Sequence, residues 1–313
     1  MEFFTVSLLN GTIYGLLLFM VSAGLTLIFG MMGVLNFAHT SFYMVGAYLA
    51  YSLQKVVGFW PAIIISPLIV GVLGALIERF LLRRVHRHGH GHQLLLTFGL
   101  SFIIAEVIKL FYGNYPVDYR IPESLSFSAF PLFGASYPFY RLLIGATSIL
   151  MFVLIYLLLT KTRVGIVVRS AIYRPRMVEA LGHNVPMVFM GVFGVGAALA
   201  GLAGAVAGAF YTTNPNMAME LGVLVFVVVV VGGLGSLGGA MAASLLIGLI
   251  SSFAVGIDYS LADLLGWFGA RAWAEGLGGL LTLKVSSLAA TIPFVLMLLV
   301  LLFRPSGLMG TRE

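Results

Sequence analysis

The chain has 313 residues, 60% of them hydrophobic and 9% charged, with a formal net charge of +6 and a mean hydropathy of +1.07. A soluble protein carries about 25% charged residues, so this composition excludes a soluble globular chain and indicates a polytopic one solvated mostly by lipid. Cysteine is absent, which excludes disulfides, thiolate metal sites and a thiol nucleophile.

Spanning helices need about 20 mostly apolar residues. In chain order the candidates are Val6–Phe29, Met31–Leu53, Trp60–Leu82, Gln93–Tyr112, Tyr140–Thr160, Met187–Tyr211, Leu221–Val231, Gly238–Ile257 and Ser286–Phe303. The first basic residue is Lys55, so the opening apolar run lacks the cationic start of a secretory leader and reads as a span. The second candidate is interrupted by Asn36-Phe37-Ala38-His39, and the seventh is short and ends in a glycine-rich run from Gly232 to Gly239. Open backbone in a bilayer must be covered by protein or line a wet cavity. Asn36, Phe37, His39, Gly232, Gly233 and Gly235 are therefore candidate pathway or gate residues, the competing reading being ordinary turns between spans. Asn36 and His39, three apart, share a face if that segment is helical.

Basic residues orient the chain. Arg83, Arg84 and Arg87 follow the third span, Lys161, Arg163, Arg169, Arg174 and Arg176 the fifth, and Arg304 and Arg312 the last. All three segments are expected in the cytoplasm, with the N-terminus outside and nine crossings if Leu221–Val231 traverses the bilayer. His86, His88, His90 and His92 alternate in the first basic loop, but without carboxylate or cysteine beside them they read as a solvated loop that attracts anionic lipid. Glu106 and Lys109 read as a mutual pair near the outer end of the fourth span. Outside lie the Gly113–Phe139 loop and residues 258–287, where the spacing of Leu264, Leu265, Phe268 and Ala272 suggests an amphipathic interfacial helix. Ala200, Gly204 and Gly208 have the spacing of small residues at close helix contacts.

One cytoplasmic segment, Arg169–Val185, is conspicuously polar. A short helix is predicted from Pro175, with Met177, Val178, Leu181 and Val185 on one side and Arg176, Glu179 and His183 on the other. It is either a surface helix at the headgroups or a docking element. No Walker A pattern, H-E-x-x-H or Ser/His/Asp set occurs, so the chain is expected to be neither an ATPase nor an intramembrane enzyme. It reads as one all-α transmembrane domain over residues 1–313, with eight or nine helices, some broken or short. No nucleic-acid partner and no bound metal are expected.

Four stretches together resemble a known family over nearly the whole chain: Asn10–Ala50 with its Gly-Val-Leu-Asn-Phe-Ala-His core at 33–39, "IERFLLRR" at 77–84 followed by "LLLTFGLSFII", "GVFGVGAALAGLAG" at 191–204, and "GGLGSLGGAMAASLLIG" at 232–248 with the ending "RPSGLMG". The chain resembles the LivH-type permease subunits of branched-chain amino-acid ABC importers. The resemblance implies the ABC importer permease fold and a pore half that pairs with a LivM-like permease chain or a second copy of itself. It also implies two ABC ATPase subunits, which would carry the ATP and Mg, a periplasmic or lipid-anchored substrate-binding protein, and a bacterial inner-membrane location. It places a coupling helix at about 174–184, implicating Arg174, Pro175, Arg176, Glu179, Ala180, Leu181, Gly182 and Asn184 in ATPase contact. The chain departs from the family at Tyr173-Arg174-Pro175, where an acidic residue is usual, at His183, and at Gly238, where proline is common. The competing expectation is an ion-coupled transporter or channel that works without an ATPase.

Overall fold

The computed structural model describes residues 2–85, 88–132, 135–266, 269–277 and 279–310. His86, Arg87, Trp267, Phe268 and Arg312, on which the sequence reading drew, lie outside the described residues, as do the side chains of Tyr173 and Leu264.

The bundle is organised around α1 (Glu2–Met32), whose apolar residues are buried along most of its length. It is followed by α2 (His39–Val57), α3 (Phe59–Val85) and α4 (His90–Tyr112). A small antiparallel hairpin of β1 (Ser128–Leu132) and β2 (Ala135–Pro138) occupies the outer loop that the sequence reading left without regular structure. Next come α5 (Phe139–Lys161), two short helices α6 (Arg163–Tyr173) and α7 (Pro175–Ala180), and α8 (Val185–Ala207). The chain continues with α9 (Met217–Gly232) and α10 (Leu237–Gly256), then short segments α11 (Leu261–Gly266), α12 (Arg271–Leu277) and α13 (Val285–Leu288), and ends with α14 (Ile292–Phe303). Six of these helices are long and apolar enough to cross a membrane alone; α9 and α14 are shorter apolar helices.

Small residues let the backbones touch, which is how helices associate where lipid removes the hydrophobic drive between them. A Cβ on Gly15 would lie 2.7 Å from the Ser244 carbonyl oxygen, and one on Gly24 2.3 Å from that of Gly196. These contacts seat α10 and α8 against α1. The predicted small-residue row on α8 meets α2, since a Cβ on Gly204 would lie 1.9 Å from the Tyr43 oxygen. Similarly, a Cβ on Gly46 would lie 2.2 Å from the Gly201 oxygen, and one on Gly74 2.4 Å from Ala197 Cβ. Helices α2, α3 and α8 thus form one tightly packed group.

The described residues of the three basic segments gather at one end. Arg83 donates to the Pro186 carbonyl, Val168 packs with Leu27, Met31 and Val192, and residues after Arg304 bond to the end of α9. By the positive-inside rule this is the cytoplasmic end. The ends of α1, α3, α5, α9 and α14 and the starts of α4, α8 and α10 lie there, so successive long helices alternate in direction.

Three boundaries differ from the sequence reading. Met31 and Met32 complete α1, and the chain leaves helical geometry from 33 to 38. The interruption is therefore the link between two helices, and Asn36 and His39 do not share a helical face. Residues 258–287 do not form one amphipathic helix: the chain turns after α11, with Gly269 N bonding to the Gly266 oxygen, and charged side chains pair across the segment, Arg271 with Asp263 and Glu275, Lys284 with Asp258. The last span is divided into α13 and α14, the latter starting with Pro293 in its first turn, where a missing N–H costs nothing.

Candidate functional site

Residues 33–38 turn back along α1 instead of leaving the bundle. His39 Nε2 lies 2.9 Å from the Val21 carbonyl oxygen. Val21 precedes the end of α1 by three helical turns, about 16 Å at 1.5 Å per residue. Helix α2 therefore begins well inside the bundle, and its entry is built by local polar contacts. Asn36 Oδ1 accepts from Ala38 N at 3.0 Å, the Asn36 carbonyl accepts from His39 N at 3.1 Å, and Phe37 N donates to Thr97 Oγ1 on α4 at 3.3 Å. These bonds satisfy backbone groups that the bilayer would otherwise leave orphaned.

Helix α9 begins inside the bundle too. Its 16 residues rise only about 24 Å, and the stretch before it is held by Thr213, whose hydroxyl donates to the Gly208 oxygen at 3.0 Å and whose carbonyl accepts from Val117 N at 3.0 Å. Asn214 Oδ1 accepts from Asn216 N at 2.8 Å. Gly222 faces Thr40, where a Cβ would come within 3.1 Å of the hydroxyl, so α9 passes close beside the start of α2.

Between the starts of α2 and α9 and one face of α4 lies a cavity of about 370 Å³. Its inner end is aromatic: Phe37 stacks on Phe226 at 6.3 Å and meets Phe98 edge-on at 6.2 Å. Its outer end carries Glu106 and Lys109, paired at 2.6 Å. Asn36 and His39 line the wall between and are 3% and 1% exposed. Asn36 Nδ2 and His39 Nδ1 have no hydrogen-bond partner. A carbonyl only accepts, so His39 Nε2 is the donor to Val21. The cavity thus has the positive end of the α2 dipole at its wall within an otherwise largely apolar surround. Buried polar groups normally have partners; both atoms are enclosed just behind the cavity wall, and reaching them takes a movement of the α2 entry.

The structure brings Asn36, Phe37 and His39 together in this cavity and adds Phe98, Phe226, Glu106 and Lys109, whose shared location no sequence spacing revealed. It places Gly232, Gly233 and Gly235 elsewhere, in the tight turn at the cytoplasmic end. Gly233 (φ +100) would put a Cβ 2.4 Å from Gly310 N, and Gly235 (φ +81) would put one 2.8 Å from the Gly30 Cα. Leu308 N and Met309 N donate to the Val231 and Gly232 carbonyls at 2.8 and 3.0 Å. These glycines are needed where three backbones converge with no room for side chains, and they do not line the cavity.

On the cytoplasmic face, α7 starts at Pro175 as expected, but its apolar residues divide. Val178 is buried with Ala171 and Val185, whereas Met177 and Leu181 are 56% and 77% exposed. The helix ends at Ala180, so Leu181 departs from the helical wheel and projects outward. Arg174, Pro175, Arg176, Glu179, Ala180, Gly182 and Asn184 are all exposed around it. Asn184 also has a structural duty: its Oδ1 accepts from Met187 N at 3.0 Å and caps α8. The segment before α7, which carries Arg169, is itself helical, capped by Thr162 through Gly165 N.

The branched-chain amino acid transport system / permease component family matches residues 7–302. The high-affinity branched-chain amino acid transport system permease protein BraD of Pseudomonas aeruginosa is 26% identical over 319 residues, covering 98% of this chain and 95% of that protein. LivH of Escherichia coli K12, which carries the same description, is 26% identical over 333 residues, with coverage of 99% and 97%. A probable branched-chain amino acid transport permease protein LivH of Methanocaldococcus jannaschii is 29% identical over 310 residues, with coverage of 95% and 90%. No solved structure matches the chain at a significant level.

Proposed function

Given that the chain belongs to the branched-chain amino acid transport permease family, we propose that it is the membrane-spanning subunit of an ATP-driven importer in a bacterial inner membrane. Its solute is an amino acid, branched-chain or related, or a similar small polar molecule, moved inward by alternating access. The observation that carries this reading is the cavity flanked by two helices that both begin inside the bundle. Helix breaks at membrane depth recur where a transporter must meet a polar solute without exposing backbone to lipid.

In this reading the solute enters past Glu106 and Lys109 and reaches the wall formed by Asn36 and His39. The aromatic contact of Phe37 with Phe226 and Phe98 closes the way inward. Moving α9 relative to α2 separates Phe226 from Phe37 and opens it. The open side of the cavity faces a second permease chain, LivM-like or another copy of this one. Two ATPase subunits, which hold the ATP and Mg, dock on α7 with Met177 and Leu181 as the apolar contact and Arg174, Pro175, Arg176, Glu179, Ala180 and Gly182 around them. A binding protein delivers the solute from outside.

The test uses the lack of native cysteine. Single cysteines at Asn36, Phe37 and His39, in the assembled transporter, are expected to react with a small polar thiol reagent in at least one nucleotide state. The cysteine at Phe37 should respond most to ATP. Inaccessibility of all three in every state would remove the cavity from the pathway. Solute uptake by vesicles that contain this chain without any ATPase would instead favour an ion-coupled transporter.

A further inference from the structure

Near its inner end α3 changes from α to π geometry at Glu78–Leu82. Glu78 is only 3% exposed. A carboxylate at such a position is costly unless paired and fully hydrogen-bonded, and here Arg83 supplies two contacts: Nη2 to Oε2 at 2.7 Å and Nε to Oε1 at 3.3 Å. The π turn makes this pairing possible. Five residues of regular α-helix rotate through about 500°, leaving two side chains about 140° apart, whereas a π turn brings residues i and i+5 near one face. The same Nη2 also donates to the Pro186 carbonyl at 2.7 Å. Pro186 lies in the first turn of α8, directly after the loop that leaves α7.

We propose that Glu78, Arg83 and the Pro186 carbonyl form a clasp that locks the inner end of α8, and with it α7, to α3. In this role Arg83 and Glu78 are positioning residues: displacement of α7 moves α3, α8 and α2 as one body. The contacts beyond the clasp suit such transmission. Gly74 meets Ala197, Gly46 of α2 meets Gly201, and Gly204 meets Tyr43 of α2, at separations that leave no slack for sliding. The group ends at the start of α2, where Asn36 and His39 line the cavity. Without the clasp, α7 and the start of α8 would tilt about their short loop and part of the motion would be lost before reaching the cavity.

The inference rests on α7 as the ATPase contact, and the experiment separates the two. A photo-crosslinker on a cysteine replacing Met177 is expected to capture the ATPase subunit in the complete transporter. In parallel, Arg83→Lys and Glu78→Gln are reconstituted with Met177 intact, and solute moved per ATP hydrolysed is measured. Lysine keeps a cation beside Glu78 but lacks the planar fork that reaches both partners. The ratio is expected to fall by at least about fivefold, the low end of ordinary site-to-site coupling, while assembly and hydrolysis persist. If the crosslink forms and both variants keep a ratio within about twofold of the native protein, a change too small for such coupling, the clasp has no coupling role and the inference is overturned. If no crosslink to the ATPase forms, α7 is not its contact and both readings fall.

Discussion

His39 Nε2 lies 2.9 Å from the carbonyl oxygen of Val21, and this bond fixes the depth at which α2 starts. It joins a residue at the mouth of a helix to the middle of the helix before it, and the six residues between α1 and α2 must fold back to allow it. Replacing His39 with leucine removes the donor and is expected to cost about 1 kcal/mol, within the range measured for interhelical bonds in membranes. Glutamine retains a donor and should recover part of that loss. Thermal unfolding in detergent orders the variants; equal midpoints for His39→Leu and His39→Gln would show that the bond does not hold α2 in place.

Gly204 tests whether backbone contact between α8 and α2 is required. An alanine Cβ there would lie 1.9 Å from the Tyr43 oxygen, and a main-chain atom in a packed helix cannot move aside cheaply. Gly204→Ala is expected to destabilise the protein by about 1–3 kcal/mol, as overpacked cores do. Gly99 on α4 has nothing within 4 Å of its Cβ position, so Gly99→Ala should be neutral or slightly stabilising through lower backbone entropy in the unfolded chain. Folded yield and unfolding temperature, measured side by side, check the contrast.

The outer segment has its own polar anchor. The backbone N–H of Ser260 donates to Asp263, and its hydroxyl does too, at 2.8 and 2.7 Å; with Arg271 nearby they hold the Asp263 carboxyl below the usual aspartate range. A depressed carboxyl contributes stability that is present above its unfolded pKa and lost as pH falls through its folded pKa. Acidification through that low range should therefore loosen residues 260–284, seen as faster nicking by pepsin, and Asp263→Asn should already be loose before acidification. A nicking rate in Asp263→Asn with the pH response of the native protein would contradict this. The Asp263 carboxyl is partly open to solvent, which screens the interaction, and a modest effect is expected.

Much of the architecture was legible because lipid imposes a simple rule on sequence. Six of the apolar runs correspond to helices of spanning length, two more to shorter apolar helices, and the proline at residue 175 to the start of α7. Ala200, Gly204 and Gly208 marked a contact face from spacing alone, since small residues at every fourth position have few other uses in a buried helix. Polar residues inside an apolar run also singled out Asn36 and His39, because burying them unpaired is costly wherever the chain goes.

Less was legible where long-range approach decides the outcome. Glu106 and Lys109 satisfied each other locally, and no local pattern shows that they share a cavity with Phe37 and Phe226. The glycine run after α9 looked equally suited to a pore or a turn; what decides is that Gly233 meets Gly310 and Gly235 meets Gly30, partners far away in the chain. Glu78 and Arg83, five apart, fall on different faces of an ordinary helix, and only the π turn unites them.

By itself, then, the sequence determined that this chain crosses a bilayer and which segments interrupt the crossings. Those features follow from local transfer free energies and charge, which act residue by residue. The tertiary structure alone decided that the start of α2 folds back to Val21, that α9 closes a cavity against it, and that Arg83 joins α3 to α8. These depend on where distant backbones can approach, and that is set by packing among helices instead of by the composition of any one.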